Sequence, residues 1–210
     1  MQPKRLDPTL YPDFYRHGGY GFLPQSLLDR FRSQVGQQMH AAIRKTEEQV
    51  REAESDLPLA DDRYEALRTI SYYETRRDEE CELHALLQEL TILSAYRYLE
   101  VAMSTRIAEH FPDLVSRQLH KNQHVQQRFP FLKTLFGAHA VEELRLLNNC
   151  IKHSGRVSRQ LALRYPTWRE GEPLAGLDAA YERIAPFIGA YWVDFVQTIK
   201  EFANAHACDT

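Results

Sequence analysis

The sequence predicts an all-α protein: a single helical bundle with an irregular aromatic arm at its N-terminus. Three observations predict this class. Glycine is scarce, at 9 of 210 residues, below the usual share of about 7%. Apolar residues recur at steps of three and four along most of the chain, as one face of a helix requires. Alternation of polar and apolar residues between turn signals, which is typical of β-strands, occurs nowhere in the sequence.

The arm is predicted to span residues 1–24. Its prolines and glycines exclude a helix over these residues: they are Pro3, Pro8, Pro12, Pro24, Gly18, Gly19 and Gly21. The same stretch carries large apolar and aromatic side chains: Leu10, Tyr11, Phe14, Tyr15, Tyr20 and Phe22. We therefore expect the arm to pack across its own domain or against a partner subunit.

The bundle itself is predicted to occupy residues 25–210 as one domain. Its first helix is expected from Gln25 to Asp56, where Leu57-Pro58-Leu59 ends it. The acidic run at residues 78–80 is typical of a helix N-terminus, so we expect two helices here, about 61–77 and about 79–110. The remaining predicted elements are a helix from Pro112 through Val125, a short apolar segment at residues 131–136 closed by Gly137, a helix over 138–154, a loop over 165–176 and a last helix over about 177–207.

Composition places the chain among ordinary globular proteins. The net charge of -3 indicates neither a nucleic-acid nor a membrane partner. The three cysteines are odd in number and far apart, which favours free thiols in a reducing cytoplasm: they are Cys81, Cys150 and Cys208. The most apolar region, residues 83–103, contains Glu89, Arg97 and Glu100, so we expect no membrane span.

The strongest chemical signal lies in residues 142–156. Arg145, Asn149 and His153 follow one another at steps of four, so a helix places them along one side. Its opposite side is expected to be buried through Leu144, Leu147, Cys150 and Ile151. Lys152 and Asn148 flank the polar ridge, and Arg156 follows within a turn.

This ridge resembles the motif of the HEPN superfamily, small all-α proteins that include many RNases of bacterial toxin–antitoxin and antiviral systems. Their hallmark is an arginine followed, after four to six residues, by a histidine on a late helix of a four- or five-helix bundle. Here seven residues separate Arg145 from His153, and Leu146 follows the arginine. The resemblance implies catalytic roles for Arg145 and His153, with Arg156 or Arg159 as alternative sources of the cation. It also implies a homodimer in which both motifs face one cleft.

The chemistry of such a pair needs no metal. A histidine moves protons at neutral pH, and an arginine holds a phosphate and stabilises the charge that develops on it. An RNA strand is cut when its 2′-hydroxyl attacks the adjacent phosphorus. We therefore expect His153 as the acid/base, Arg145 as the phosphate clamp and Asn149 as the group that orients them.

Local charge agrees with a phosphate-bearing ligand. Residues 141–169 contain six Lys or Arg but two Glu, a basic stretch in an acidic chain. The predicted RNA-binding residues are Lys152, Arg156, Arg159 and Asn148. The structural alternative is that these cations cap a helix C-terminus and cover a solvated face.

The sequence thus predicts a HEPN-like protein that acts as a metal-independent endoribonuclease or as a silent relative. The expected partners are RNA or a nucleotide, a second copy of the chain, and an antitoxin or other partner protein. The alternative is a helical scaffold or regulatory module that dimerises through its arm and last helix. We expect no cofactor and no metal. His120 and His124 have zinc-compatible spacing, but no third ligand accompanies them.

Overall fold

The computed structural model describes residues 23–59, 62–112, 125 and 127–207. Its α-helices are α1 (Leu23–Asp56), α2 (Arg63–His110), α3 (Ala138–His153), α4 (Arg159–Arg164) and α5 (Leu177–Ala207). Two short 3-10 helices, Leu57–Leu59 and Pro130–Lys133, accompany them. The described residues contain no strand, only an isolated bridge between Arg156 and Pro173, which confirms the all-α class. Residues 1–22 of the predicted arm and the segment around His120 and His124 lie outside these residues. The predicted boundary after Pro24 is wrong, because Leu23 and Pro24 belong to the first turn of α1, where a proline is tolerated.

The ends of α1 and α2 lie close to the predicted boundaries, but the predicted boundary at residue 78 does not exist. The Asp62 carboxylate accepts hydrogen bonds from the backbone N–H groups of Tyr64 (2.9 Å) and Glu65 (3.2 Å), which caps the start of α2. The prediction of a break near Asp78 is wrong, because α2 runs for 48 residues without interruption. It contains neither proline nor glycine. Asp78 instead pairs with Arg77 at 2.9 Å on the helix surface.

The backbone divides into two compact units, and each is described separately. Residues 29–91 form a helical hairpin in which α1 and α2 run antiparallel, since His40 contacts His84 and Thr46 contacts Glu80. The two imidazoles meet edge to face, with centroids 4.3 Å apart. The buried Thr46 hydroxyl donates to the Glu80 carboxylate at 2.8 Å.

The other unit contains the described residues from Ile92 onward and the first residues of α1. In this unit α3 packs mainly on α5, with smaller contacts to α4 and to the second 3-10 helix. The centre is aliphatic and aromatic, and its most completely buried side chains include Leu144, Leu147, Leu161, Tyr181, Ile184, Ile188 and Phe195. Four aromatic rings, Phe111, Phe129, Phe131 and Phe202, pack against one another at centroid distances of 5.3–6.0 Å.

The chain leaves α3 and returns to α5 through a hydrogen-bonded loop over residues 154–176. The N–H groups of Val157, Gly171 and Leu174 donate to the carbonyls of Glu172, Val157 and Gly155 respectively. Within the loop, Ser158 caps the short α4 by accepting from the Leu161 N–H at 3.2 Å. The predicted loop over residues 165–176 and the last helix over 177–207 are confirmed. The single-domain prediction for residues 25–210 stays a prediction.

Gly137 begins α3 in a place that no other residue fits. Its φ of 81° lies in the left-handed region, and a Cβ here would collide with the Phe187 carbonyl oxygen of α5. The absent side chain therefore allows the start of α3 to contact the α5 backbone directly.

We expect Gly137→Ala to destabilise the protein more than Gly171→Ala does. Gly171 has the same φ of 81° but open space around it, so its substitution carries the backbone penalty alone, about 1–2 kcal/mol. Gly137→Ala adds the steric conflict, about 1–3 kcal/mol more. Urea unfolding monitored by circular dichroism measures both. Equal losses of unfolding free energy would contradict the close approach to Phe187.

Candidate functional site

Helix α3 holds the predicted motif between a buried face and a partly open one. Leu144, Leu147 and Cys150 are buried against the core, as predicted, and Ile151 is half-buried. The Cys150 sulfur also accepts the Ser158 N–H at 3.4 Å, which ties the loop after α3 back to the helix. The orientation of α3 about its axis decides where every polar side chain of the motif points.

A buried carboxylate, absent from the sequence-based prediction, fixes this orientation. Glu143 is fully buried and accepts three hydrogen bonds. Trp168 Nε1 donates at 2.8 Å, and the Arg183 guanidinium donates twice, at 2.7 and 2.9 Å. These donors satisfy the charge, so α3, the loop and α5 meet at one ion pair. In the sequence, Glu143 is one of two adjacent glutamates just before Arg145, and nothing in the pattern indicates its hydrogen-bond partners.

A cavity of about 810 Å³ lies beside α3, within the unit that starts at Ile92. Side chains from α2, α3, α4 and α5 line it. Its apolar lining consists of Leu99, Met103, Ile107, Val125, Leu132, Ala138 and Val141. Its polar lining consists of Tyr96, Glu100, Ser104, Lys133, His139, Glu142, Arg145, Gln160, Arg164, Tyr165 and Tyr191.

Arg145 faces this cavity and is paired there with Glu142. Its Nε and Nη2 donate to the two Glu142 oxygens at 2.7 and 2.9 Å, and both side chains are one-fifth exposed. Arg164 of α4 donates to the same carboxylate. The hydrogen bonds that Arg145 donates to Glu142 raise the pKa of Arg145 above its usual value, so the guanidinium stays charged. One carboxylate thus serves two arginines.

Three tyrosines line the same cavity as the Arg145–Glu142 pair. Burial, more than the neighbouring Glu100, raises the pKa of Tyr96 to about 12. Burial also raises the pKa of Tyr165 to about 12 and, more strongly, the pKa of Tyr191. The phenols therefore remain protonated hydrogen-bond donors at neutral pH. Tyr165 uses its hydroxyl to donate to the His139 carbonyl at 2.5 Å.

His153 lies at the opposite end of α3, exposed in its last turn. Lys152 and Arg159, one position before it and six positions after it in the sequence, are also exposed, and neither makes an ion pair within the described part of the chain. Arg156 donates through Nη1 to the Gly171 carbonyl at 2.9 Å. That acceptor is neutral, so the hydrogen bond stabilises the loop but does not balance the positive charge of Arg156.

The two asparagines of the motif differ in environment. Asn149 is half-buried between Arg145 and His153 along the ridge. Asn148 is buried, at 2% exposure, and its Nδ2 donates weakly to the Asn149 side-chain oxygen at 3.4 Å. Its own Oδ1 has no hydrogen-bond partner in the described structure. Asn148 is therefore inaccessible to an external ligand in this conformation.

The structure divides the predicted site residues into two groups. Arg145 belongs to the cavity, while Lys152, His153, Arg156 and Arg159 belong to the surface around the end of α3. His153 lies eight positions after Arg145, a rise of about 12 Å along the helix. In the described conformation Arg145 is bound to Glu142 in the cavity, whereas His153 is exposed at the end of the helix, so the two side chains lie in different environments.

Neither a metal site nor a membrane helix is found among the described residues. No cluster of three or more His, Cys, Asp or Glu in them could hold a metal ion. No helix there is long and apolar enough to cross a membrane.

Comparison with known proteins gives no match for this chain, whether among family models, curated proteins or solved structures.

We expect Arg183→Met to lower the unfolding free energy by about 2–3 kcal/mol, because it leaves the buried Glu143 charge with Trp168 alone. The double variant Glu143→Gln/Arg183→Met should be more stable than Arg183→Met, since its buried group is neutral. Arg169→Met removes an exposed pair with Glu172 and should cost below about 0.5 kcal/mol. Urea titrations measure all three. An Arg183→Met loss as small as that of Arg169→Met would contradict this role of Glu143.

We also expect stability to fall between pH about 10 and about 12, partly through Tyr96. The unfolded chain releases this phenolic proton at its ordinary pKa of 10.0, whereas the folded chain holds it to about 12. The folded state is thus favoured below pH 10 and loses that advantage as the pH rises to 12. Tyr96→Phe should flatten this decline, while Tyr98→Phe, at an exposed tyrosine, should not. Midpoints of urea unfolding across this interval measure the slopes, and parallel curves for wild type and Tyr96→Phe would refute the assignment.

Proposed function

We propose that this chain is a HEPN-like RNA-processing protein that binds the RNA backbone at the end of α3 and cleaves it without a metal. The observation that carries the proposal is the exposed His153 with three exposed cationic side chains within six positions of it in the sequence, Lys152, Arg156 and Arg159. None of these cations is neutralised by a carboxylate within the described residues. Cations of this kind attract phosphates, and an exposed imidazole beside them is accessible to a strand bound there.

In the proposed reaction His153 removes the proton from a ribose 2′-hydroxyl. The 2′-oxygen then attacks the adjacent phosphorus, and the bond from phosphorus to the 5′-oxygen breaks. The leaving 5′-oxygen takes up a proton, and the products are a 2′,3′-cyclic phosphate and a 5′-hydroxyl. Lys152, Arg156 and Arg159 hold the backbone, and cationic hydrogen bonds stabilise the charge on the phosphate.

Arg145 enters this proposal through a second copy of the chain. Within one protomer Glu142 holds it in the cavity while His153 is exposed at the end of α3, whereas a homodimer of the kind that the HEPN resemblance implies pairs it with the partner's imidazole. Arg145 must then exchange part of its contact with Glu142 for the phosphate. Asn149, midway along the ridge, would orient the two groups, and the buried Asn148 would support Asn149.

The test is cleavage of labelled RNA by the purified full chain in EDTA. We expect wild-type protein to produce fragments with cyclic phosphate ends, and His153→Ala to reduce the rate by about 100-fold or more, the usual contribution of a general acid/base. His110→Ala, on a different helix, is the matched control and should cleave like wild type. Equal cleavage by His153→Ala and wild type would remove His153 from the reaction.

Mixing two variants tests the shared site. Arg145→Ala alone and His153→Ala alone should each be inactive. After subunit exchange in an equimolar mixture, half of the dimers contain one chain of each variant, and each of these has one intact site of two. The mixture should therefore regain about a quarter of the wild-type activity. A mixture that stays inactive despite proven subunit exchange would contradict the two-chain site.

A second candidate function is a non-catalytic scaffold that dimerises or binds a partner protein. It is favoured by exposed leucines at helical spacing on α2, Leu83, Leu86 and Leu90, each about half exposed. Exposed apolar residues on one helix face are typical of contact surfaces. A stable dimer that cleaves no RNA in the same assay would favour this candidate over the nuclease.

A further inference from the structure

The cavity beside α3 has the properties of a small-molecule site, separate from the surface around His153. Its volume of about 810 Å³ falls within the range of about 300–1,000 Å³ that ligand pockets occupy. We propose that it binds a small organic anion, with a single carboxylate or phosphate monoester on a mostly apolar or aromatic body. The cavity is built by one compact unit of the chain, and Lys152, Arg156 and Arg159 do not line it, whereas Arg145, which the proposed two-chain RNA site also uses, does.

Charge selects the anionic head group. Arg145 and Arg164 share the single Glu142 carboxylate, so one positive charge stays unbalanced. Arg145 uses Nε and Nη2 for Glu142, while its Nη1 donates to no described residue. The other carboxylate of the lining, Glu100, accepts from Arg97 at 3.0 Å, and Lys133 adds a further cation. The imbalance is small, which favours one anionic group over a polyphosphate.

Two tyrosine hydroxyls supply further hydrogen bonds. Tyr96 and Tyr191 line the cavity, and the hydroxyl of neither makes a hydrogen bond to a described residue. Tyr165, by contrast, is already committed to the His139 carbonyl. A ligand oxygen beside Arg145 would satisfy the free phenols.

The rest of the wall fits an apolar body. Leu99, Met103 and Ile107 follow one another at steps of four along α2, and Leu132 and Val141 contribute from other segments. The lining thus combines polar side chains, which include Arg145, with an apolar strip of α2. A ligand with one charged end and an aromatic or aliphatic remainder matches both parts.

The experiment is calorimetric titration of the full chain with three acids of different origin: adenosine monophosphate, indole-3-acetate and decanoate. Each is paired with its uncharged analogue: adenosine, indole-3-acetamide and decanamide. We expect at least one acid to bind with a dissociation constant below about 1 mM and its analogue to bind about tenfold or more weakly. The acid that binds most tightly identifies the source, a nucleotide, an aromatic acid or a fatty acid.

Variants locate the binding site. Arg145→Met should weaken the acid by about 10- to 100-fold, and Tyr191→Phe by about three- to tenfold. Arg169→Met, outside the cavity, should bind like wild type, and so should His153→Ala, which separates this result from the RNA proposal. Melting curves verify that each variant is folded. If Arg145→Met does not fold, the conservative Tyr191→Phe alone tests whether the acid binds in the cavity. Binding by none of the acids, equal binding of acids and analogues, or wild-type affinity in both cavity variants would overturn the proposal.

Discussion

The compact unit that contains the described residues from Ile92 onward, here called the C-terminal unit, depends on one constraint: the buried Glu143 carboxylate. A carboxylate out of contact with water is costly unless it is fully hydrogen-bonded, and here the donors come from two other segments. Trp168 belongs to the loop after α3, and Arg183 belongs to α5. The requirement to satisfy one charge therefore fixes the rotation of α3, the path of the loop and the position of α5 together.

This constraint separates the two chemistries of α3. With Glu143 turned toward α5, its neighbour Glu142 points into the cavity and brings Arg145 and Arg164 with it. The last turn of the helix then presents Lys152 and His153 outward. One helix thus contributes to a partly buried pocket at one end and to an open cationic surface at the other.

The sequence predicted most of the fold but only part of the site. Periodicity identified the all-α class and the apolar face of α3, because buried leucines repeat with the helical period. It could not tell which glutamate or which asparagine of each adjacent pair is buried, since the choice between Glu142 and Glu143 depends on Arg183, forty residues away. The cavity could not be predicted from the sequence either, because its lining residues Tyr96, Arg164 and Tyr191 come from three separate helices. The predicted break at Asp78 was wrong because no proline or glycine interrupts α2, and an acidic run is also compatible with the exposed surface of a continuous helix.

The positions of the two tryptophans allow intrinsic fluorescence to report on one of the two compact units. Both of them, Trp168 and Trp192, lie in the C-terminal unit, and residues 29–91 contain none. Indole emission consequently senses that unit alone, whereas circular dichroism registers the helices of both. Melting curves from the two signals coincide only if the hairpin and the C-terminal unit unfold as one cooperative body, so ordinary spectroscopy can count the folding units of this protein without labels.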